Sequence, residues 1–262
     1  MKRIVSILLS VLLMLALSVT AFAEGELIQT EDDATEAAKR EIEVWKEMGL
    51  LSPEVSLEGE PDSIVEIEPR TGDDYWYGRE FSHAYEVRWW MAAKIGTELE
   101  VPAYGCNLRI DAKTGKIIQA VIEAAATAED VPASEKTLEL EMGDPSDPAK
   151  TVVDTKTFYF YDNFDDIFPV DMTVDSFCTL LAEYWGFSGY TLGETVDEAY
   201  FDEPMAPVEP SSLLKDMPKD TAVNYYLTVF FEGDQEGAPV YIYVQQYPGY
   251  VMLSAGVTHA VG

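Results

Sequence analysis

The arrangement of apolar and polar positions divides the chain into a leader, two stretches of alternating elements and an acidic join between them. An apolar run from Ile4 to Val19 follows Lys2 and Arg3 and closes on Ala21-Phe22-Ala23. That pattern predicts a secretory leader removed near Ala23, and its apolar core is shorter than the roughly 20 residues a membrane span needs. From Asp33 to Gly49, Ala34, Ala37, Ala38, Ile42, Trp45 and Met48 recur at three- and four-residue steps, the stripe of an amphipathic helix that Gly49 ends. Val55–Glu58 and Ile64–Ile67 read as extended chain, and Ala84–Trp90 alternates as a half-buried strand does. Asn107–Asp111 and Lys116–Ile122 alternate on either side of Ala112-Lys113-Thr114-Gly115. Gly115 there supplies the positive φ of a tight hairpin, and Asp111 is placed to bond its own downstream backbone.

The second stretch follows a similar order. After a Pro- and acid-rich join over 126–150, within which Thr137–Glu141 is a short strand candidate, Thr151–Tyr161 alternates and ends on aromatic residues. Thr173 is placed to cap a helix over Val174–Trp185, with Phe177, Leu180, Leu181 and Tyr184 on one face and Gly186 as its stop. Val223–Phe231, Pro239–Gln246 and Tyr250–Val257 then read as strands, the last two joined at Tyr247-Pro248-Gly249. The expected fold class is α+β, in two modules, each an antiparallel β-sheet with one α-helix packed across it. The expected division is a leader over 1–23, a first module over 24–125, a linker over 126–150 and a second module over 151–262, read as a diverged copy of the first.

Helix, strand, the Tyr85-Glu86-Val87 strand and a hairpin closing on Ile110-Asp111-Ala112-Lys113-Thr114-Gly115-Lys116-Ile117 resemble a PepSY domain over about residues 30–125. The chain departs from that pattern in the Arg70–Ser82 insert and a long Lys94–Pro102 connection. The resemblance implies a binding or inhibitory module of the kind that accompanies exported peptidases, with no catalytic set to transfer and no cofactor.

Charge narrows the class of partner. The chain has 48 acidic and 17 basic residues, and loss of the leader takes its formal charge from −31 to −33. Such a surface repels nucleic acid and anionic membrane and favours a basic protein or peptide. No later stretch is apolar enough to span a bilayer, so the expected location is outside the cell or at its envelope. Sheet edges offer strand addition as one binding mode.

Candidate chemistry is sparse. The imidazoles are His83 and His259, neither within a catalytic motif, and both are read as surface or satisfied histidines. No H-E-x-x-H, C-x-x-C or G-x-S-x-G is present, and Gly186-Phe187-Ser188-Gly189 reads as a helix stop and turn. Asp162, Asp165, Asp166 and Asp171 lack the glycine and spacing of a calcium loop and read as a solvated acidic loop. Cys106 lies in a strand and Cys178 in a helix; export permits a bridge between them, and free buried thiols are the favoured alternative. Tyr75, Trp76 and Tyr77, between Gly72 and Gly78, form the candidate recognition loop, either as a platform for carbohydrate or peptide or folded back as a lid over the sheet. Trp89 and Trp90 point to opposite faces, which predicts that one packs beneath the helix. The expected function is a non-enzymatic exported binding or regulatory protein that inhibits or escorts a peptidase. The alternative is an envelope or carbohydrate-binding protein using Tyr75–Tyr77.

Overall fold

The computed structural model describes residues 26–68, 83–95, 99–126, 130–142, 152–161, 167–193, 196–199, 210–214, 223–233, 240–247 and 250–256. The two helices among the described residues form where local signals start and stop them. Helix α1, Glu31–Met48, begins at Thr30, whose hydroxyl accepts the Asp33 N–H at 3.1 Å, and Glu31, Asp32 and Asp33 place negative charge on its first turn. It ends at Gly49, φ 80°, where the Gly49 and Leu50 N–H groups donate back to Lys46 and Trp45. Helix α2, Val174–Trp185, repeats both devices: Thr173 accepts the Ser176 N–H, and Gly186 at φ 83° closes it. Of the expected stripes, Ala34, Ala37, Ala38, Ile42 and Trp45 of α1 and Phe177, Leu181 and Tyr184 of α2 are buried, while Met48 and Leu180 are half-buried; α2 also buries Val174 and Trp185.

The strands are β1 (Ser63–Ile67), β2 (Ala84–Ile95), β3 (Leu99–Asp111), β4 (Ile117–Ala125), β5 (Ser134–Met142), β6 (Val152–Phe160), β7 (Gly189–Leu192), β8 (Val196–Ala199), β9 (Val223–Glu232), β10 (Val240–Tyr247) and β11 (Tyr250–Gly256). Nine of them form one antiparallel sheet in the order β1-β2-β3-β4-β11-β10-β9-β7, with β8 also paired to β9. The three-strand runs expected to make two sheets, over 84–122 and 223–257, therefore lie in one, and the strand expected over 151–161 stays outside it. The join is β4 against β11, in register from Tyr250 opposite Ala125 to Gly256 opposite Gln119. β5 and β6 pair separately, so the stretch read as a linker contributes a nine-residue strand. The Lys94–Pro102 connection is also shorter than expected: β2 runs to Ile95, β3 starts at Leu99, and Lys94 pairs with Glu100.

One core serves both halves. Tyr85, Val87 and Trp89 of β2, Leu108 and Ile110 of β3, Leu227 and Val229 of β9 and Ile242 and Val244 of β10 share a single apolar cluster with the buried faces of both helices. The alternation of these positions puts the helices on the same face of the sheet. Polar groups cross between the halves inside that core. The Tyr184 hydroxyl donates to Glu41 Oε2 at 2.8 Å and accepts the Ile117 N–H at 2.8 Å. Trp185 Nε1 donates to the Ile117 carbonyl at 2.8 Å, and Lys116 Nζ donates to the Tyr184 carbonyl at 2.7 Å. Trp45 meets the Tyr184 ring edge to face.

The β3–β4 turn gives the D-x-x-T-G-K sequence a structural role. Asp111 is fully buried, and its Oδ2 accepts both the Thr114 N–H at 2.8 Å and the Thr114 hydroxyl at 2.6 Å. Gly115 sits at φ 68°, where a side chain is strained, and its N–H donates to the Asp111 carbonyl. Replacing Asp111 with alanine leaves the Thr114 amide without its acceptor, and we expect a loss of about 1–3 kcal/mol in urea unfolding, largely retained by Asp111→Asn.

Candidate functional site

Past α1 the chain turns back along the sheet and builds one wall of a groove. Leu50 and Leu51 are buried, the Ser52 N–H donates to the Ile167 carbonyl, and Val55 and Leu57 pack on the core. The segment then reaches β2: the Asp62 N–H donates to the Arg88 carbonyl at 2.8 Å, and the Asp62 carboxylate accepts the Trp90 N–H at 2.7 Å. That contact stands where a ladder carbonyl would otherwise bond Trp90, so β1 begins just beyond it.

Between this segment, the middles of β2 and β3 and the end of β4 lies a groove of about 750 Å3. Trp89, Cys106, Ile122, Val55 and Ile167, all buried, form its apolar floor. Glu54, Glu58, Glu60, Asp62 and Glu123 line it with five carboxylates, and no Lys, Arg or His lies among the described lining residues. Trp90 is 44% exposed at its margin, beside Met91 and Gly105. The β2–β3 pairing shifts register between Trp89 and Trp90, with Gly105 as the additional residue on β3, a β-bulge beside the groove. A Cβ at Gly105 would meet Met91 Sδ and the Trp89 carbonyl at 3.4 Å, ordinary van der Waals contact. The volume lies within the range of small-ligand and side-chain pockets.

Neighbouring cations are engaged with a buried carboxylate. Glu86, 8% exposed, accepts from Arg109 Nη2 at 2.9 Å and from Arg88 Nη2. Glu86 and Arg88 alternate with Val87 and Trp89, so this trio belongs to the sheet face opposite the groove floor. The groove thus keeps a net negative lining. Cys106 is free and buried in its floor; burial, reinforced by the Glu123 charge, pushes its thiol far up, so it is held as the neutral thiol. Cys178 is also free and buried, its thiol pushed up to about 12 by burial and the Asp175 charge.

The structure separates the residues singled out from sequence. Trp89 packs in the core and Trp90 is exposed. His83 is satisfied at both ring nitrogens, by Glu26 and Glu66. Gly186 is the left-handed stop of α2, and Ser188 hydroxyl donates to the Glu232 carbonyl. Asp171 is exposed. Tyr75, Trp76, Tyr77, Asp162, Asp165, Asp166 and His259 lie outside the described residues. Among the described residues no three His, Cys, Asp or Glu side chains are arranged to hold a metal ion, and no helix is long and apolar enough to cross a membrane. Sequence reading did not find the groove, although Glu54, Glu58, Glu60 and Asp62 fall within one nine-residue stretch. In a chain with 48 acidic residues that density gives little contrast.

Comparison of the chain with protein-family models, curated proteins and solved structures found no match.

Proposed function

We propose that this protein is an exported, non-catalytic binding protein whose groove takes a basic segment of a protein or peptide. The observation that carries this reading is the pairing of an apolar floor with five lining carboxylates and, among the described lining residues, no cation. An extended segment bearing Lys or Arg fits that lining. Its cationic heads meet Glu54, Glu58, Glu60 and Asp62, and an adjoining apolar side chain covers Trp89 and Ile122. A guanidinium or ammonium over the exposed Trp90 ring adds about 0.5–1 kcal/mol. Each exposed ion pair is worth little alone, but several of one sign steer encounter and reject acidic competitors.

The PepSY-like reading rests on the order of helix, Tyr85-Glu86-Val87 strand and Asp111–Lys116 hairpin, and it suggests a biological setting: inhibition or escort of an exported peptidase. The matching Thr caps and Gly stops of α1 and α2, each helix preceding a three-strand antiparallel run, favour two diverged copies of one module.

The test is capture of partners from the producing cells' secreted and wall fractions at low and high salt. The wild-type chain is compared with Glu54→Gln/Glu58→Gln/Glu60→Gln. A basic protein retained at low salt, released at high salt and lost with the variant is the expected result. Partners retained equally by both chains, or by wall glycan alone, contradict it.

A further inference from the structure

The only described histidine occupies a junction of three elements. The His83 carbonyl accepts the Ala112 N–H at 2.9 Å, and the Ile28 N–H donates to the Ala112 carbonyl at 2.9 Å. The segment leading into α1, the Asp111–Gly115 turn and the start of β2 therefore meet at this residue. Its imidazole, with a side chain 16% exposed, lies between two carboxylates: Nδ1 is 2.8 Å from Glu26 Oε1 and Nε2 is 2.9 Å from Glu66 Oε1.

Both distances are hydrogen bonds only if both ring nitrogens carry a proton. A neutral imidazole has one N–H, and its other nitrogen would turn a lone pair toward a carboxylate oxygen that has no proton to give. The imidazolium alone satisfies the two contacts together. We propose that His83 is a pH-operated clasp that, when protonated, pins the segment before α1 to the edge strand β1, and that gives up one of its two arms when the proton leaves. This inference is independent of the groove.

The groups facing the ring agree with that role. Glu26 comes from the segment before α1 and Glu66 from β1, while on β2 the Tyr85 ring lies 5.3 Å away. Glu31 and Asp33 of the first turn of α1 add negative charge felt at Tyr85. From the turn, Asp111 is engaged with Thr114. Burial by itself lowers the His83 pKa, but the hydrogen bonds and charges of Glu26 and Glu66 outweigh it, and the net shift is upward from 6.5. A histidine whose folded pKa is raised stabilises fully below its unfolded pKa and loses that contribution as pH rises through the folded one. The clasp is therefore closed in a mildly acidic medium and opens above the native His83 pKa.

The experiment follows the His83 ring nitrogens by NMR across pH in the full folded chain, with amide exchange at Ile28 measured in parallel. His83→Gln assigns the His83 signals against His259. The expected result is a His83 midpoint above 6.5, two ring N–H protons on its acidic side, and Ile28 protection, corrected for intrinsic exchange, that falls several-fold across that midpoint. Glu26→Gln, which keeps the ring and removes one charge, should lower the midpoint, and it carries the test alone if His83→Gln does not fold. A wild-type midpoint at or below 6.5, Ile28 protection that ignores His83 titration, or a midpoint unmoved in Glu26→Gln would overturn the clasp.

Discussion

Trp185→Ala is expected to lower the stability of the whole chain by about 3–5 kcal/mol, the cost of emptying a large buried aromatic site. Trp185 is fully buried at the end of α2, meets the Phe231 ring edge to face at 5.6 Å, and donates to the Ile117 carbonyl at 2.8 Å. Ile117 begins β4, a strand of the first half, so the loss falls on the contact between halves as well as on the core of the second. Urea unfolding followed separately by far-UV circular dichroism and by tryptophan fluorescence measures it. Because the sheet and the apolar cluster run through both halves, the two probes should report one transition, displaced to lower urea with little change in slope. Two transitions, with only one displaced, would mean that the halves fold independently despite the β4–β11 pairing. Trp185→Phe should cost less, since it keeps most of the ring volume and loses the hydrogen bond.

Tyr184→Phe is the second large effect, and it is a loss of polar satisfaction rather than of volume. One oxygen is removed, and two buried groups lose a partner: Glu41 Oε2 its donor and the Ile117 amide its acceptor. Glu41 is 7% exposed and is held on its other oxygen by Arg40 Nε at 3.1 Å. The coupling also shows in the tyrosine. Burial, followed by the charge of Glu41 and the hydrogen bond to it, pushes the Tyr184 hydroxyl far up, which keeps it a donor at neutral pH. Leaving a buried donor or acceptor unmade costs about 1–3 kcal/mol, so the pair of losses should total about 2–6 kcal/mol. Combining Tyr184→Phe with Glu41→Met should recover the carboxylate's share and leave that of the Ile117 amide. A double-mutant cycle on unfolding free energies measures this as a coupling between residues 41 and 184. Additive single effects would show that the carboxylate is satisfied by Arg40 alone.

What the sequence reveals about this fold follows the range of the interactions. Both helices were legible, because Thr30 and Thr173 cap them, Gly49 and Gly186 stop them, and their apolar stripes repeat within each helix. The β3–β4 hairpin was legible because Asp111 and Gly115 close it within five residues. The merging of two expected sheets was not, since it depends on β4 meeting β11 more than a hundred residues later in the chain, and no local pattern encodes that register. β7 and β8 were missed because each has four residues within an acidic, Pro-containing stretch and pairs with a strand far ahead of it.

The sites divide the same way. Trp89 and Trp90 announced their opposite faces through strand alternation, but the groove needs the 54–62 segment laid across them, and Asp62 reaches Trp90 over 28 residues. His83 gave no sign of its two carboxylates, which are 57 and 17 residues away in sequence. Its local neighbours are Ser82 and Ala84, and neither predicts an imidazolium.

The most direct measurement of the central claim is a titration of the purified chain with a short lysine-rich peptide containing one leucine. Binding is followed by calorimetry at two salt concentrations and by backbone amide shifts. Shifts confined to 54–62, 89–91, 105–106 and 122–125, affinity that falls steeply with salt, and loss of both in Glu54→Gln/Glu58→Gln/Glu60→Gln are the predicted result. Shifts spread evenly over the acidic surface, with the triple variant binding as well as wild type, would contradict a built groove and leave only the chain's general negative charge.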